Sequence, residues 1–431
     1  MLPDRTFGFL TGADREDIER GEARNGLIHI VSLALTKTAD RLIDPKLVLS
    51  WLLSAVGAPG SMIGALVPVR EAGALLPQLA LARRVEASAQ RKFFWSAGSA
   101  IQGLAALGIA GAALTLDGAT AGVAVVLLVA VLAFGRSASS VSYKDALARS
   151  IAKRRRGAVT GFAASMASIA AFGVGALMAS GIFAVAVGPL AGIVAIGGIG
   201  FLLAALLFTR LEEAAEDVDV DDDASIRTLV EPLFSDSQLR LFVAARGALA
   251  VTALAPPFIV MLSAASERTA LDQLGPLVMA SALASVLASY VWGRLSDRSS
   301  RQTLMVAGGL GSIVLLCVGG FSVVFGDLGG ALGSAAAIFT AQISYEGVRA
   351  GRKLHLTDMA EDDFRARYTA LSNTLIGLAL VAGGVFGFAA DQFGPASVVL
   401  AFGIIAAMGA VMASGLEEVQ QANSDSDPEP Y

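Results

Sequence analysis

The chain is short of the residues that staple a fold or ligate a metal. One cysteine, Cys317, stands among 431 residues, so no disulfide framework can form. The two histidines, His29 and His355, provide no spaced His/Cys set for a metal. The G-x-x-x-x-G-K-[ST] phosphate loop, the G-x-S-x-G elbow and the H-E-x-x-H helix are all missing, which excludes the common routes to an enzyme. Charged residues make up only 16%, and the net charge of −5 comes from acid concentrated near 212–223 and after 425. No cofactor, metal or nucleic-acid partner is expected. The first 26 residues are charged and lack both an apolar h-region and a small-residue cleavage site; they read as a cytosolic lead-in rather than a signal peptide.

What the chain has instead is apolar length. Hydrophobic residues make up 55%, with 47 glycines and a mean hydropathy of +0.66, far from the soluble average. About 20 apolar residues cross a ~30 Å hydrocarbon core as a helix. Twelve runs meet that length: 27–56, 58–82, 93–115, 119–142, 158–183, 185–209, 239–263, 274–293, 303–325, 328–348, 369–390 and 395–416. The expected class is therefore an all-α polytopic membrane protein. Bases gather before the first run (Arg5, Arg15, Arg20, Arg24) and after the second (Arg83, Arg84, Arg91, Lys92). They gather again after the fourth (Lys144, Arg149, Lys153 to Arg156), the eighth (Arg294, Arg298, Arg301) and the tenth (Arg349, Arg352, Lys353, Arg365, Arg367). The odd-numbered gaps offer only Arg268, so the positive-inside rule puts both termini in the cytosol. The segment 210–238, rich in Glu and Asp, separates six spans from six and reads as a solvated cytosolic linker between bundles 27–209 and 239–416. Residues 417–431 read as a disordered tail. Arginine far outnumbering lysine, with abundant alanine and glycine, indicates a GC-rich bacterial genome and hence the inner membrane.

Some spans carry charge inside the hydrocarbon. Lys37, Asp40, Arg41 and Asp44 are spaced i, i+3, i+4, i+7 and would share one face of the first helix. Facing lipid, each would cost about 3 kcal/mol near the bilayer centre, so they are expected to face protein or water. A helix lying flat on the surface is the alternative, but the turn at Gly57 to Gly60 would then leave only 45–56 for the first crossing. Arg70 and Glu71 sit midway along the second span, and the acid and base of the first span are their nearest candidate partners. Arg136 in the fourth span and Arg246 in the seventh read as isolated charges on cavity-lining helices. Glycine pairs at Gly60/Gly64, Gly157/Gly161 and Gly383/Gly387 would allow close helix contact.

The halves echo one another. Ser140-Val141-Ser142-Tyr143-Lys144 ends the fourth span and Gln342-Ile343-Ser344-Tyr345-Glu346 ends the tenth. Asp44-Pro45-Lys46-Leu47-Val48 of the first span parallels Pro256-Pro257-Phe258-Ile259-Val260 of the seventh. Both copies run in the same sense, a parallel repeat. After the eighth span, Gly293-Arg294-Leu295-Ser296-Asp297-Arg298-Ser299-Ser300-Arg301-Gln302 resembles the loop signature G-x-L-[AS]-D-R-x-G-[RK]-[RK] of the major facilitator superfamily. Gly293, Leu295, Ser296, Asp297, Arg298 and Arg301 match it; Ser300 and Gln302 depart, and 83–92 in the first half has no aligned Asp-Arg.

That resemblance implies two six-helix bundles about a pseudo-twofold axis, with the signature as a cytosolic latch in which Asp297 caps a helix N-terminus and pairs with a base. It implies alternating access by a monomer, with the first, fourth, seventh and tenth spans lining a cavity that takes a small organic solute. The expected pathway residues are Lys37, Asp40, Arg41, Asp44, Arg70, Glu71, Arg136, Tyr143, Arg246, Gln342, Tyr345 and Glu346, with Asp40 as the proton-coupling carboxylate. Lys144 and Glu346 would close an inner gate alongside the latch residues Gly293, Asp297, Arg298 and Arg301. A transporter-like protein that assists assembly of a membrane complex, or senses a ligand, is the alternative of a different class.

Overall fold

In a computed structural model, residues 2–11, 21–86, 88–152, 155–180, 186–213, 226–264, 274–359 and 362–420 are described. They form eighteen α-helices and, among the described residues, no strand. The first nine are α1 (Leu2–Thr11), α2 (Glu22–Leu42), α3 (Val48–Ala55), α4 (Gly60–Leu75), α5 (Gln78–Glu86), α6 (Lys92–Thr115), α7 (Gly118–Ser150), α8 (Arg156–Ala179) and α9 (Val187–Phe208). Then come α10 (Ile226–Ser235), α11 (Ser237–Leu249), α12 (Val251–Ala264), α13 (Leu274–Arg298), α14 (Ser300–Phe325), α15 (Gly330–Met359), α16 (Asp362–Gly383), α17 (Val385–Phe393) and α18 (Pro395–Ser414). Outside the described residues lie Arg15, Arg20, Lys153, Arg154, Arg268, the middle of the acidic segment (214–225) and the chain from 421.

Nine helices among the described residues are long and apolar enough to cross a membrane, taking α11 with α12 and α16 with α17 as continuous crossings. The three expected spans that fall short, the first, second and tenth, carry ionic residues in or beside their apolar stretch. Several expected spans are broken, and the breaks have local causes. The first stops at Leu42 and resumes at Val48, because Pro45 has no N–H to give and disfavours helix at Asp44. The second parts at Pro77, between α4 and α5. The seventh breaks at Ala250, one turn and a half before Pro256-Pro257, whose missing N–H groups leave two carbonyls of the preceding turn without helical partners. Adjacent Gly383 and Gly384 part α16 from α17.

The chain divides into two compact units. One comprises Met1–Asp44, Val69–Val174 and Ala186–Asp222; the other comprises Pro45–Pro68, Gly175–Val185 and Asp223–Tyr431. In the first unit α6 packs on α7 and α9, and α2 lies along α9. The contacts are backbone to backbone: a Cβ on Gly98 would come within 2.5 Å of the Gly135 carbonyl, and one on Gly103 within 2.8 Å of the Gly198 carbonyl. In the second unit α14 packs on α15 and α18, α13 on α15, and α11 on α18. Gly64 of α4 sits against Gly387 of α17, whereas Gly157 and Gly161 face open space and do no packing. Leu104, Leu127, Ile169, Ile196, Ile313 and Val411 are well exposed, the outward apolar belts of a helix bundle in lipid.

Both ends of the linker depart from the solvated reading. Asn25 holds the Glu212 backbone by two hydrogen bonds of 2.9 and 3.0 Å, and Glu212 pairs with Arg24. Glu213 is buried and accepts from the backbone N–H groups of Arg91 and Lys92, capping α6. Asp236 caps α11 through Gln238 and Leu239 and accepts the Tyr368 hydroxyl at 2.8 Å. The start of the expected disordered tail is pinned as well. Glu418 accepts from Ser299 at 2.6 Å, and Gln420 accepts the Ser300 N–H at 3.0 Å while donating to Asp358 at 2.9 Å. At the N-terminal end, buried Glu22 pairs with buried Arg155, and Phe7 of α1 packs on Ala23, Ile30 and Leu147.

His355, on α15 beyond the expected tenth span, is buried with Nδ1 2.9 Å from Ser300 Oγ and its ring stacked on Phe242. Burial, with the Arg301 charge adding to it, lowers its pKa from 6.5 to about 4. The unfolded chain binds this proton below about pH 6.5 while the folded one refuses it until about pH 4, so the histidine's stability contribution is whole above that window and drains as pH falls through it. Between pH 7 and pH 4.5 the loss of unfolding free energy is expected to be about 3 kcal/mol smaller in His355→Asn than in wild type.

Candidate functional site

The first unit gathers its charge around Asp40. About three turns into the apolar run α2 presents Lys37, Asp40 and Arg41, and it ends at Leu42, so Asp44 leaves the helical face that the spacing implied. Asp40 accepts from Arg70 Nη2 at 2.5 Å and from Arg136 Nη1 at 2.7 Å. Three helices, α2, α4 and α7, thus meet at one carboxylate. Arg136 is therefore not isolated. Two guanidiniums against one carboxylate leave the trio with one net positive charge. Arg70 is buried and its Nη1 has no hydrogen-bond partner, while the Arg136 side chain is 44% exposed. Lys37, Arg41, Asp44 and Glu71 are half-buried around it, and the charge of Glu71 acts on Arg70 in the same sense as Asp40.

Tyr143 lies about two turns beyond Arg136 along α7, edge-on to His29 and near Phe208. Its hydroxyl is buried without a partner, and His29 Nε2 lies 2.8 Å from Ser150 Oγ. Lys144, the next residue, is exposed.

The second unit arranges its polar groups differently. Gln342 donates to Glu346 at 2.9 Å and to Ser285 at 3.2 Å, and Arg349 pairs with Glu346 at 2.6 Å. The Glu346 carboxylate is thus buried and satisfied within its own unit. Tyr345 lies under Lys46, whose ammonium sits 3.2 Å from the ring centroid. Arg246 on α11 is buried and donates to Ser372 Oγ at 2.6 Å and Asn373 Oδ1 at 2.9 Å, both on α16.

The latch signature takes an unexpected form. Gly293, Asp297 and Arg298 belong to the last turns of α13, and both ionic side chains are exposed. The N-cap of α14 is Ser299, which accepts from Gln302, in place of the capping implied for Asp297. Arg301 meets Glu418 at 3.3 Å. Among the described residues, no three His, Cys, Asp or Glu could hold a metal ion.

Five groups that partner these residues were not singled out from sequence: Ser285, Ser372, Asn373, Lys46 and Asp391. Asp391 at the end of α17 accepts the Ser61 N–H at 2.9 Å and so caps α4. A polar pair such as Ser372-Asn373 inside an apolar run was the available signal; nothing in a single sequence says that Asp391 reaches a residue 330 positions away.

No protein-family model matches the chain, and no curated protein matches it by sequence. Solved structures do match in shape. A nucleoside transporter, NupG, superposes with TM-score 0.70 at 13% identity, covering 91% of this chain and 100% of its own. A POT family transporter in complex with a thioalcohol-conjugated peptide gives 0.67 at 10%, covering 90% and 95%. A D-xylose–proton symporter gives 0.67 at 13%, covering 92% and 98%. The fold is that of the major facilitator transporters.

Breaking the Asp40 cluster has a defined consequence. Asp40→Asn removes the carboxylate hydrogen-bonded to the buried Arg70 and is expected to destabilise the protein by about 3 kcal/mol, measured by unfolding in mixed micelles. Adding Arg70→Met to that background is expected to recover most of the loss, the coupling that marks a buried pair.

Proposed function

We propose that this chain, folded as a major facilitator protein, is a secondary active transporter of a small organic solute working by alternating access, coupled to protons. The observation that carries the reading is Asp40 held between Arg70 and Arg136 where three helices of the first unit meet. Three ionic groups from three helices at membrane depth are costly to keep unless they serve a pathway. Arg136, half-exposed, is the member a solute can reach.

Protonating Asp40 removes the charge that holds both guanidiniums, so one proton loosens α4 and α7 from α2 together. That is the kind of change that converts proton binding into a shift between two states. A seal at the other end supports the same reading. Residues Pro45–Pro68, the far halves of the first two spans, are built into the unit of the C-terminal helices. There Asp391 caps α4, and a Cβ on Gly64 would lie 2.7 Å from Gly387 Cα, a contact that leaves no room for water. With bases setting the orientation, this end is the outer one and both termini are cytosolic, in the inner membrane of a bacterium. The protein works as a monomer, with lipid around its apolar belts and no cofactor. The expected inner gate of Lys144 and Glu346, alongside the latch residues Asp297 and Arg298, belongs to this proposal too; Glu346 would have to leave Arg349 to join it.

The test is uptake into proteoliposomes under an imposed proton gradient, against nucleosides, small peptides, pentoses and small carboxylates. At least one solute is expected to accumulate above its outside concentration, and Asp40→Asn protein recovered folded is expected to lose the gradient-driven part. Gradient-driven uptake intact in Asp40→Asn would remove Asp40 from the coupling. No accumulation of any solute, with ligand binding retained, would favour a sensor.

A further inference from the structure

Arg246 in the second unit is buried against neutral partners. The side chain is buried at 7% exposure, and its two Nη groups donate to Ser372 and Asn373, which are neutral. Its Nε is buried and has no partner. No carboxylate among the described residues pairs with it. Two carboxylates of the same unit are engaged elsewhere: Glu346 by Arg349, Gln342 and Ser285, and Asp236 by the N-terminus of α11 and Tyr368. The charge that acts on Arg246 is that of Arg352 on α15, and it is of the same sign. A guanidinium taken out of water, with a like charge beside it and no anion, is the arrangement that folding alone disfavours. Yet the residue is not loose. Ser372 and Asn373 fix the plane of its fork, as a planar binding group requires.

We infer that Arg246 is the counter-charge for an oxyanion, a carboxylate or phosphate group on the transported solute, bound where α11, α15 and α16 converge. Ser372 and Asn373 position the guanidinium, the free N–H groups meet the anion, and Arg352 adds a second positive charge. The solute's negative charge completes an ion pair that the empty protein lacks. This rests on the transporter reading, which it narrows to anionic solutes. It also separates the two units in role: the Asp40 trio already contains its own anion, whereas the Arg246 pair takes its anion from the ligand.

The experiment uses the full chain in detergent and reads thermal unfolding with sodium phosphate or sodium succinate, each against sodium chloride at equal ionic strength. Wild type is expected to melt about 3 °C or more higher with at least one of the two. Arg246→Met is expected to lose that shift and, without probe, to melt no lower than wild type, since it removes a charge the empty protein does not neutralise. Arg246→Lys, which keeps charge without the fork, is expected to need about tenfold more probe. Three results would overturn the inference: Arg246→Met melting several degrees below wild type without probe, a shift retained in that variant, or neither probe raising wild type. A lipid headgroup carries the same chemistry, so nanodiscs of phosphatidylglycerol are compared with phosphatidylcholine; a rise with the former alone, and none with soluble anions, would also overturn it. The two readings fail separately. An Arg246-dependent shift without uptake of phosphate or succinate in proteoliposomes keeps the site and sinks transport, whereas uptake of a neutral solute with no anion shift keeps transport and sinks the site.

Discussion

Neutralising charge without water is the constraint that organises this protein. A chain that is 55% hydrophobic folds in lipid, where nothing outside the protein can solvate an ion at depth. Asp40 therefore lies between two guanidiniums, and their mutual attraction ties α2, α4 and α7 at one point. The first, second and tenth spans, which carry several ionic residues each, are the ones that do not stand as long apolar helices by themselves. Apolarity is kept for the faces of α6, α7, α9, α14 and α18 that look outward.

Packing follows a second, simpler rule. Lipid supplies no hydrophobic drive between helices, so association depends on how closely backbones approach. Gly98 with Gly135, Gly103 with Gly198 and Gly64 with Gly387 bring them within van der Waals reach. The breaks at 43–47, Ala250 and Gly384 then let single crossings bend at mid-depth. In the first span the break divides the chain between units: α2 stays with its own half, and α3 joins the C-terminal helices.

Much of the fold was legible in the sequence, because run length and the placement of arginines report directly on hydrocarbon thickness and on loops. The fold class and the pairing of Arg70 with the acid of the first span follow from that logic. What escaped it depends on distance in sequence. Glu213 capping α6, Asp391 capping α4, and Glu418 and Gln420 clasping Ser299 and Ser300 are contacts across more than a hundred residues, and a solvated acid and a capping acid look alike in a string. The face of Lys37, Asp40, Arg41 and Asp44 was drawn as one helix; Pro45 was the visible warning that Asp44 would not follow. Arg136 and Arg246 looked alike as lone charges, yet one meets a carboxylate and the other only neutral oxygens.

That contrast gives the site its sense: one unit holds an ionic trio that contains its own carboxylate, and the other holds a buried cation hydrogen-bonded only to neutral oxygens. Both require that the ionic stripe face protein or water rather than acyl chains. The most direct test places a spin label at Arg41→Cys and, separately, at Leu104→Cys, with the exposed Cys317 replaced by serine, in lipid bilayers. Collisions with a polar nickel chelate are expected to dominate at position 41 and collisions with oxygen at position 104. Oxygen dominating at position 41 would place the stripe in lipid and contradict the central claim.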